Sequence, residues 1–560
     1  MRLSSIELQN FRGIGASQTI ELKPITLLFG ANSAGKSTII QALHYLREIL
    51  ERHNVNPDLT IAGGSIDLGG FSSLVHNHEL DRAIRIKVEI DVGDEQGPDE
   101  LPLNSGTMTD EPGFEEAHVR YLLGESLEHK DYAIVQTVGL NAEIRWSELN
   151  QSPYVSELGI ELDTQPLAKI ISPPQEGRAQ LTDFNFKHPL LQAVIDPDDT
   201  EPHSEVPSPL ENLIWELSRE VALDTPVPTP GTQLLRIAVR SSTYALPNLD
   251  HEIELEIRDP LIKKVELEEK TPRVAALRRL LDEMILGPAR LVRNYLAKMT
   301  YLGPLREIPS RNYKPQVSPD QARWANGLAA WDLLYSDRSA KLIDDVNFWL
   351  SDSGRLDAGY RVERIEYKEL PIPSRLNQLF ERGIEDDDIA ELEELYGNLQ
   401  SRVDVALRDA ARGIIVGPSD VGVGISQLVP VVVAALRPQN GLLAIEQPEL
   451  HVHPAIQVAI GDLFIRAVRP DSGQLYASKT MLIETHSEHI MLRLLRRIRE
   501  TSEGALPPDV DPLLPKDLSV IYVEGDENGV RFYPLRVDSE GEFVDRWPKG
   551  FFGERGKELF

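Results

Sequence analysis

The chain has 560 residues, a formal net charge of −31 and no cysteine. That length exceeds one simple core and predicts two or more substructures, while the missing cysteines exclude disulfide scaffolds, thiolate zinc sites and thiol nucleophiles together. The acidity argues against DNA as the main ligand, because a protein that coats nucleic acid replaces condensed counterions with lysine and arginine.

The N-terminal string MRLSSIELQNF alternates as a half-buried strand. It has neither the apolar run nor the small-residue cleavage site of a secretory signal. PITLLFG is a short apolar run ending at Gly30, and Ser37 to Leu50 carries apolar residues at helical spacing. Between them GANSAGKST fits the phosphate-loop pattern G-x-x-x-x-G-K-[ST] in full. Gly30 and Gly35 let the backbone turn back, so that amides along Asn32, Ser33 and Ala34 face one anion. The following helix adds its positive end. Lys36 is expected to bridge the β- and γ-phosphates of ATP, Ser37 to hold Mg2+, and Thr38 to sit beside it.

A strand is expected at Arg82–Val92. From Gly93 the composition changes. Gly93–Glu116 and Asp196–Pro209 read as loops, and Gly159–Leu162, Leu234–Val239 and Glu252–Ile257 as alternating strands. The acidic run Glu385–Glu394 is expected to be a solvated helix face. A core resumes near Thr300 with YLGPLRE and helices around Trp331–Leu350; Arg306 there is either a bracing arginine or close to the phosphates. The longest apolar stretch, Ile425 to Leu436, is interrupted by Gln427 and Pro430 and is too short to span a bilayer. No membrane crossing and a cytoplasmic location are expected.

Three strings in the second half carry chemistry. SDVGVGISQLVP places Gly424, Ser426 and Gln427 just before an apolar helix, where amides, a hydroxyl and a helix dipole favour an anion. GLLAIEQPELHVHP runs four apolar residues into Glu446, a buried strand delivering a carboxylate for magnesium. His451 and His453 in the same string are read as a loop entering the next helix, with Pro454 near its first turn. MLIETHSEHI ends a second apolar strand, with His486 at its tip.

Together these motifs resemble the SMC/RecF/OLD-like branch of ABC ATPases, and Asn10-Phe11-Arg12-Gly13 resembles the NFRG start common there. More narrowly, IEQPELHVHP, DVGVGISQLVP, ETHSEHIMLRL and the WPKGFF tail are similar to a bacterial AAA family of uncharacterised function with that tail. The resemblance implies an α/β, ABC-type P-loop ATPase head assembled from N- and C-terminal parts, with an inserted mixed α/β lobe. The expected segments are 1–92 (phosphate loop), 93–288 (inserted lobe), 289–500 (signature, Walker B and switch histidine) and 501–560 (linker and tail).

The resemblance also implies a head-to-tail homodimer around two ATP molecules. Lys36, Ser37, Glu446 and His486 would come from one subunit, Ser426 from the other, and Arg12 would lie near the nucleotide. The family's glutamate after the Walker B acid is replaced by Gln447, which cannot accept a proton, so hydrolysis is expected to be slow or assisted by Glu449. No Q-loop glutamine is evident; His76 or His78, in LGGFSSLVHNH, stands in that place. Similar ATPases serve anti-phage defence systems (Septu and retron-associated types), which implies a separately encoded effector, a nuclease. The alternative is a RecF-like ATPase acting directly on DNA.

An intrinsic nuclease is not expected. After IYVEGDENGV only 36 residues follow Glu524, too few for a Toprim domain, and E-x-K strings such as VELEEK are frequent in charged segments.

Overall fold

The computed structural model describes residues 1–57, 66–93, 135–173, 179–188, 236–240, 242–258, 265–266, 272–311, 313–316, 322–336, 339–385, 388–469, 479–527 and 529–548. The expected loops at 94–116 and 196–209, and the tail beyond 548, lie outside these residues, as do 234–235 of one expected strand and 267–270 of VELEEK.

Six strands form the sheet that carries the motifs. Their order is Thr300–Leu302, Gly441–Glu446, Lys479–Glu484, Ile25–Gly30, Leu518–Asp526 and Gly529–Leu535. The first five run parallel and the last is antiparallel. The head is therefore assembled from both ends of the chain, as expected. Ile25–Gly30 is buried at every position, as expected of a parallel strand flanked on both faces, and its one polar side chain, Thr26, bonds the main chain of Lys23.

Alternate residues feed two different cores. Leu28, Leu442, Ala444, Leu482, Ile521 and Val523 face the helix Thr38–Arg52, the helix Pro272–Ala297 and the antiparallel sheet. Leu27, Phe29, Leu443, Ile445, Met481 and Ile483 face the opposite core, which the helices Leu328–Leu334, Ala340–Ser351, Val423–Leu436, Pro454–Ala467 and Glu488–Ser502 cover.

A second, ten-stranded sheet is antiparallel throughout. It runs from Gln18–Glu21 and Arg2–Gln9 through Ile84–Asp91 into Thr137–Ser147, Ser152–Leu162, Gln165–Ile171 and Ala179–Phe184. It ends with Arg236–Arg240, Glu254–Arg258 and Val265–Glu266. The expected boundary at 92/93 thus falls inside one sheet: Ile84–Asp91 is no edge strand, since Thr137–Ser147 takes its free hydrogen-bonding side. The boundary at 288/289 falls inside the helix Pro272–Ala297, which continues through Pro288. At the C-terminus, Leu518–Asp526 and Gly529–Leu535 are strands of the motif-bearing sheet, not linker. The helix Ile389–Asn398, which overlaps the acidic run Glu385–Glu394, buries no side chain, which fits a solvated face.

Candidate phosphate and metal site

Strand Ile25–Gly30 ends at the loop 30–37, and Ser37 is the N-cap of the helix Thr38–Arg52. Side chains are excluded at the loop's glycines. A Cβ on Gly30 would lie 2.3 Å from the carbonyl oxygen of Val523, and one on Gly35, whose φ is +96°, 2.7 Å from a methyl of Val530. Ser33 also holds a positive φ of 62°. The amides of Ser33, Gly35, Lys36 and Ser37 have no acceptor among the described residues. Asn32 lies in the same loop, and Ala34 closes it, its amide donating to Ala31 O at 3.2 Å. Thr38 opens the helix and is buried.

The buried Lys36 ammonium donates to Ala31 O at 2.8 Å and Gly30 O at 3.2 Å, and stands 3.7 Å from Glu484. Burial lowers its pKa, and the charge of Glu484 raises it back in part. Ser37 donates its hydroxyl to Glu484 Oε2 at 2.6 Å. Glu484 ends the strand between the phosphate-loop strand and Gly441–Glu446, where it sits in register beside Glu446. Glu484 therefore contacts both Ser37 and Lys36, with Glu446 in register beside it. The sequence reading passed over Glu484, although the strings LLAIE and MLIE share the signal of an apolar run ending in glutamate.

Glu446 accepts from the Tyr301 hydroxyl at 3.0 Å. Its carboxyl is pushed up to about 7, first by burial and then by the charge of Glu484. Tyr301 is itself held protonated, by burial and then by Glu446, so it remains the donor. Like charges in a buried space are costly to hold together. Beside a serine hydroxyl, this oxygen-rich pair has the donor chemistry of a magnesium site.

Gln447 turns away at a φ of 45°. Its amide donates to Glu484 O at 2.7 Å, and its side chain makes no hydrogen bond among the described residues. Glu449 is fully committed: one oxygen takes the Thr485 hydroxyl at 2.8 Å and the other the His486 amide at 2.7 Å. It holds the switch turn in place. Burial, and then the charge of Lys36, lowers the pKa of His486; its Nε2 is buried without a partner. That orphaned ring nitrogen fits a phosphate oxygen as its partner.

Arg306 is 3% exposed and donates Nη2 to Glu446 O at 2.7 Å and Gln447 O at 3.2 Å, leaving Nε and Nη1 unpartnered. It therefore braces the turn after Glu446. Arg12, at a φ of 49°, donates to Leu68 O at 3.3 Å. The carbonyl of the next residue, Gly13, accepts from Val530 N at 2.7 Å, and Val530 packs on Gly35. His76 donates Nδ1–H to Arg12 O at 2.7 Å, and His78 donates Nδ1–H to Ser72 O at 2.7 Å. His453 caps the helix Pro454–Ala467, accepting from Ala455 N at 3.2 Å, with Pro454 in its first turn.

The signature string departs from expectation. Ser426 is 0% exposed and donates to Pro418 O at 2.7 Å inside its own subunit. Gln427 is buried and bonds the main chain of Arg306 through both ends of its amide. Gly424 is pressed against the loop after Glu449, where a Cβ would meet His451 O at 2.5 Å. The groups that face outward are Ser419, Asp420, the helix N-cap Gly422 and Val423. The helix Val423–Leu436 already contains Gly424, Ser426 and Gln427, which were expected just before it, and Ser426 faces the core.

Residues 1–96 match a family described as "AAA ATPase domain", and 302–492 one described as "AAA domain, putative AbiEii toxin, Type IV TA system". Residues 513–560 match "Protein of unknown function (DUF3696)". No curated protein matches the chain. Among solved structures it is similar to an SMC head domain from Thermotoga maritima, with 9% identity and a TM-score of 0.34 over 96% of this chain and 100% of that one. It is also similar to an SmcHead bound to the C-winged helix domain of ScpA, with 8% identity and a TM-score of 0.37 over 96% and 98%. The strand order, not these low overlaps, defines the fold. The strands Ile25–Gly30, Gly441–Glu446 and Lys479–Glu484 fall within the two AAA matches, and Leu518–Asp526 and Gly529–Leu535 within the third.

Proposed function

We propose that the chain is a slow, magnesium-dependent ATPase that regulates a separately encoded effector. The observation that carries the ATPase reading is the convergence of Lys36, Ser37, Glu446 and Glu484 beside a loop of unpaired amides. Lys36 and the loop amides bind the phosphates, and the positive end of the helix Thr38–Arg52 supports them. Ser37, Glu446 and Glu484 would hold Mg2+, which when bound supplies charge neutralisation for the transferred phosphoryl group. The neutral His486 ring is placed by Glu449 to hydrogen-bond a phosphate oxygen. Gln447 cannot take a proton from water, which supports slow turnover and ATP as a clamp between two copies.

The family description of residues 302–492 names a toxin of a type IV TA system, and this supports a toxin- or nuclease-linked role in anti-phage defence over RecF-like action on DNA. The net charge of −31 supports the same choice. The test is affinity capture of the tagged chain from its native cells with ATP present. A stoichiometric nuclease or toxic effector is expected; DNA alone would select the RecF-like reading.

A further inference from the structure

The two strands that end in Glu446 and Glu484 begin, side by side, at Gly441 and Lys479. A cavity of about 640 Å3 opens at that far end. It is roughly 17 Å from the carboxylates, at about 3.3 Å per residue of strand. Six lysines or arginines line it against three aspartates, in a chain whose net charge is −31.

Structure explains two of those cations. Lys479 donates to Ala434 O, Ala435 O and Arg437 O at 2.7–3.0 Å, capping the helix Val423–Leu436 where a cation offsets the helix dipole. Arg469 pairs with Asp517 at 3.2 Å. Three of the other four, Arg437, Arg355 and Lys341, are differently placed. Arg437 lies over the Trp324 ring at 5.0 Å, and burial depresses its pKa with no acid offsetting it. Arg355 donates one N–H to Asp509 O and stands 4.8 Å from the Trp349 ring and 5.3 Å from that of Phe348. Lys341 is exposed at the rim. Lys341, Arg355 and Arg437 have no carboxylate within ion-pair distance among the described residues.

Holding like charges around one half-enclosed space costs energy that an anion recovers. Guanidinium groups held beside aromatic rings keep N–H groups free to bind phosphate through two of them. The Phe348 ring, 48% exposed, leaves an apolar surface on the same wall. The volume lies in the range of small-ligand sites, about 300–1,000 Å3. We propose that this cavity is a second ligand site, separate from the phosphate loop, which takes a small phosphorylated molecule of nucleotide size.

The test uses the full chain with the phosphate loop silenced by Lys36→Ala and Ser37→Ala. Equilibrium dialysis with labelled ATP is expected to retain about one equivalent per chain. Inorganic pyrophosphate should compete for it if phosphates alone suffice; failure to compete, with AMP competing, would assign the base face as well. Adding Lys341→Glu, an exposed change that should leave the melting temperature unaltered, is expected to weaken the retained binding about tenfold. Arg437→Gln should weaken it further. Loss of all ATP binding in the silenced chain overturns the proposal, as does retained binding indifferent to Lys341→Glu. A single-stranded oligonucleotide that displaces ATP better than pyrophosphate or AMP would overturn the ligand class.

Discussion

Ser37 and Glu484 are separated by 447 positions in the chain and joined by a 2.6 Å hydrogen bond, hydroxyl to carboxylate, at the mouth of the phosphate loop. That bond ties the phosphate-loop helix to the strand that carries the switch histidine. It also places a second acid beside Glu446, whose own neighbour, Gln447, is not one.

Glu484→Gln preserves a hydrogen-bond acceptor for Ser37 and removes the charge. We expect Mn2+ affinity, read by electron paramagnetic resonance in the presence of a non-hydrolysable ATP analogue, to fall about 10- to 100-fold. Unchanged metal affinity would leave Glu484 a purely structural partner of Ser37.

Gln447→Glu restores a proton acceptor next to Glu446. Turnover is expected to rise at least about tenfold, by general-base catalysis. A rate that stays level or drops would mean that the missing base is not what slows hydrolysis.

The Glu446 carboxyl, held at about 7 against an ordinary 4.5, keeps its proton in the folded chain where the unfolded chain has lost it. Its favourable contribution is therefore present at low pH and disappears progressively as pH rises from about 4.5 to about 7. The shift corresponds to about 3 kcal/mol. In urea unfolding with EDTA, Glu446→Gln should match the parent near pH 5 and exceed it in stability near pH 8. Added Mg2+ should narrow the gap. A difference independent of pH would contradict the shifted carboxyl.

Gly422 and Val423 face outward at the start of their helix, while Ser426 is spent on Pro418. With ATP, Gly422→Asp should remain monomeric by light scattering, because a carboxylate would face the partner's phosphates. Ser426→Ala should dimerise like the parent, at a stability cost of about 1 kcal/mol for the lost internal bond. The reverse pattern would restore Ser426 as the group that crosses the interface.

The phosphate loop, its strand and its helix were legible because the glycine spacing, the apolar run and the helical periodicity all agree at residues 25–52. Glu446 and His486 were legible for the same reason, each ending an apolar run. Glu484 ends the same run that His486 follows, but a one-dimensional reading gives no sign that this strand lies between the phosphate-loop strand and Gly441–Glu446. That order arises from non-local pairing. Ser426 was expected before the helix but lies inside its first turn, because the helix starts at a glycine N-cap without a side-chain acceptor, which carries little local signal. The inserted segment looked separate because its composition changes at Gly93, whereas the sheet's hydrogen bonds continue from Ile84–Asp91 to Thr137–Ser147.

Both neighbours of Ile25–Gly30 lie more than 440 positions downstream. At roughly 5–20 residues per second, a ribosome would take about 20 to 90 s to deliver the first of them. Throughout that interval a largely apolar strand is without its sheet, a template for pairing with other chains. The cell must therefore shelter the start of this protein until its end has been made, and demand for chaperones should follow from strand order alone.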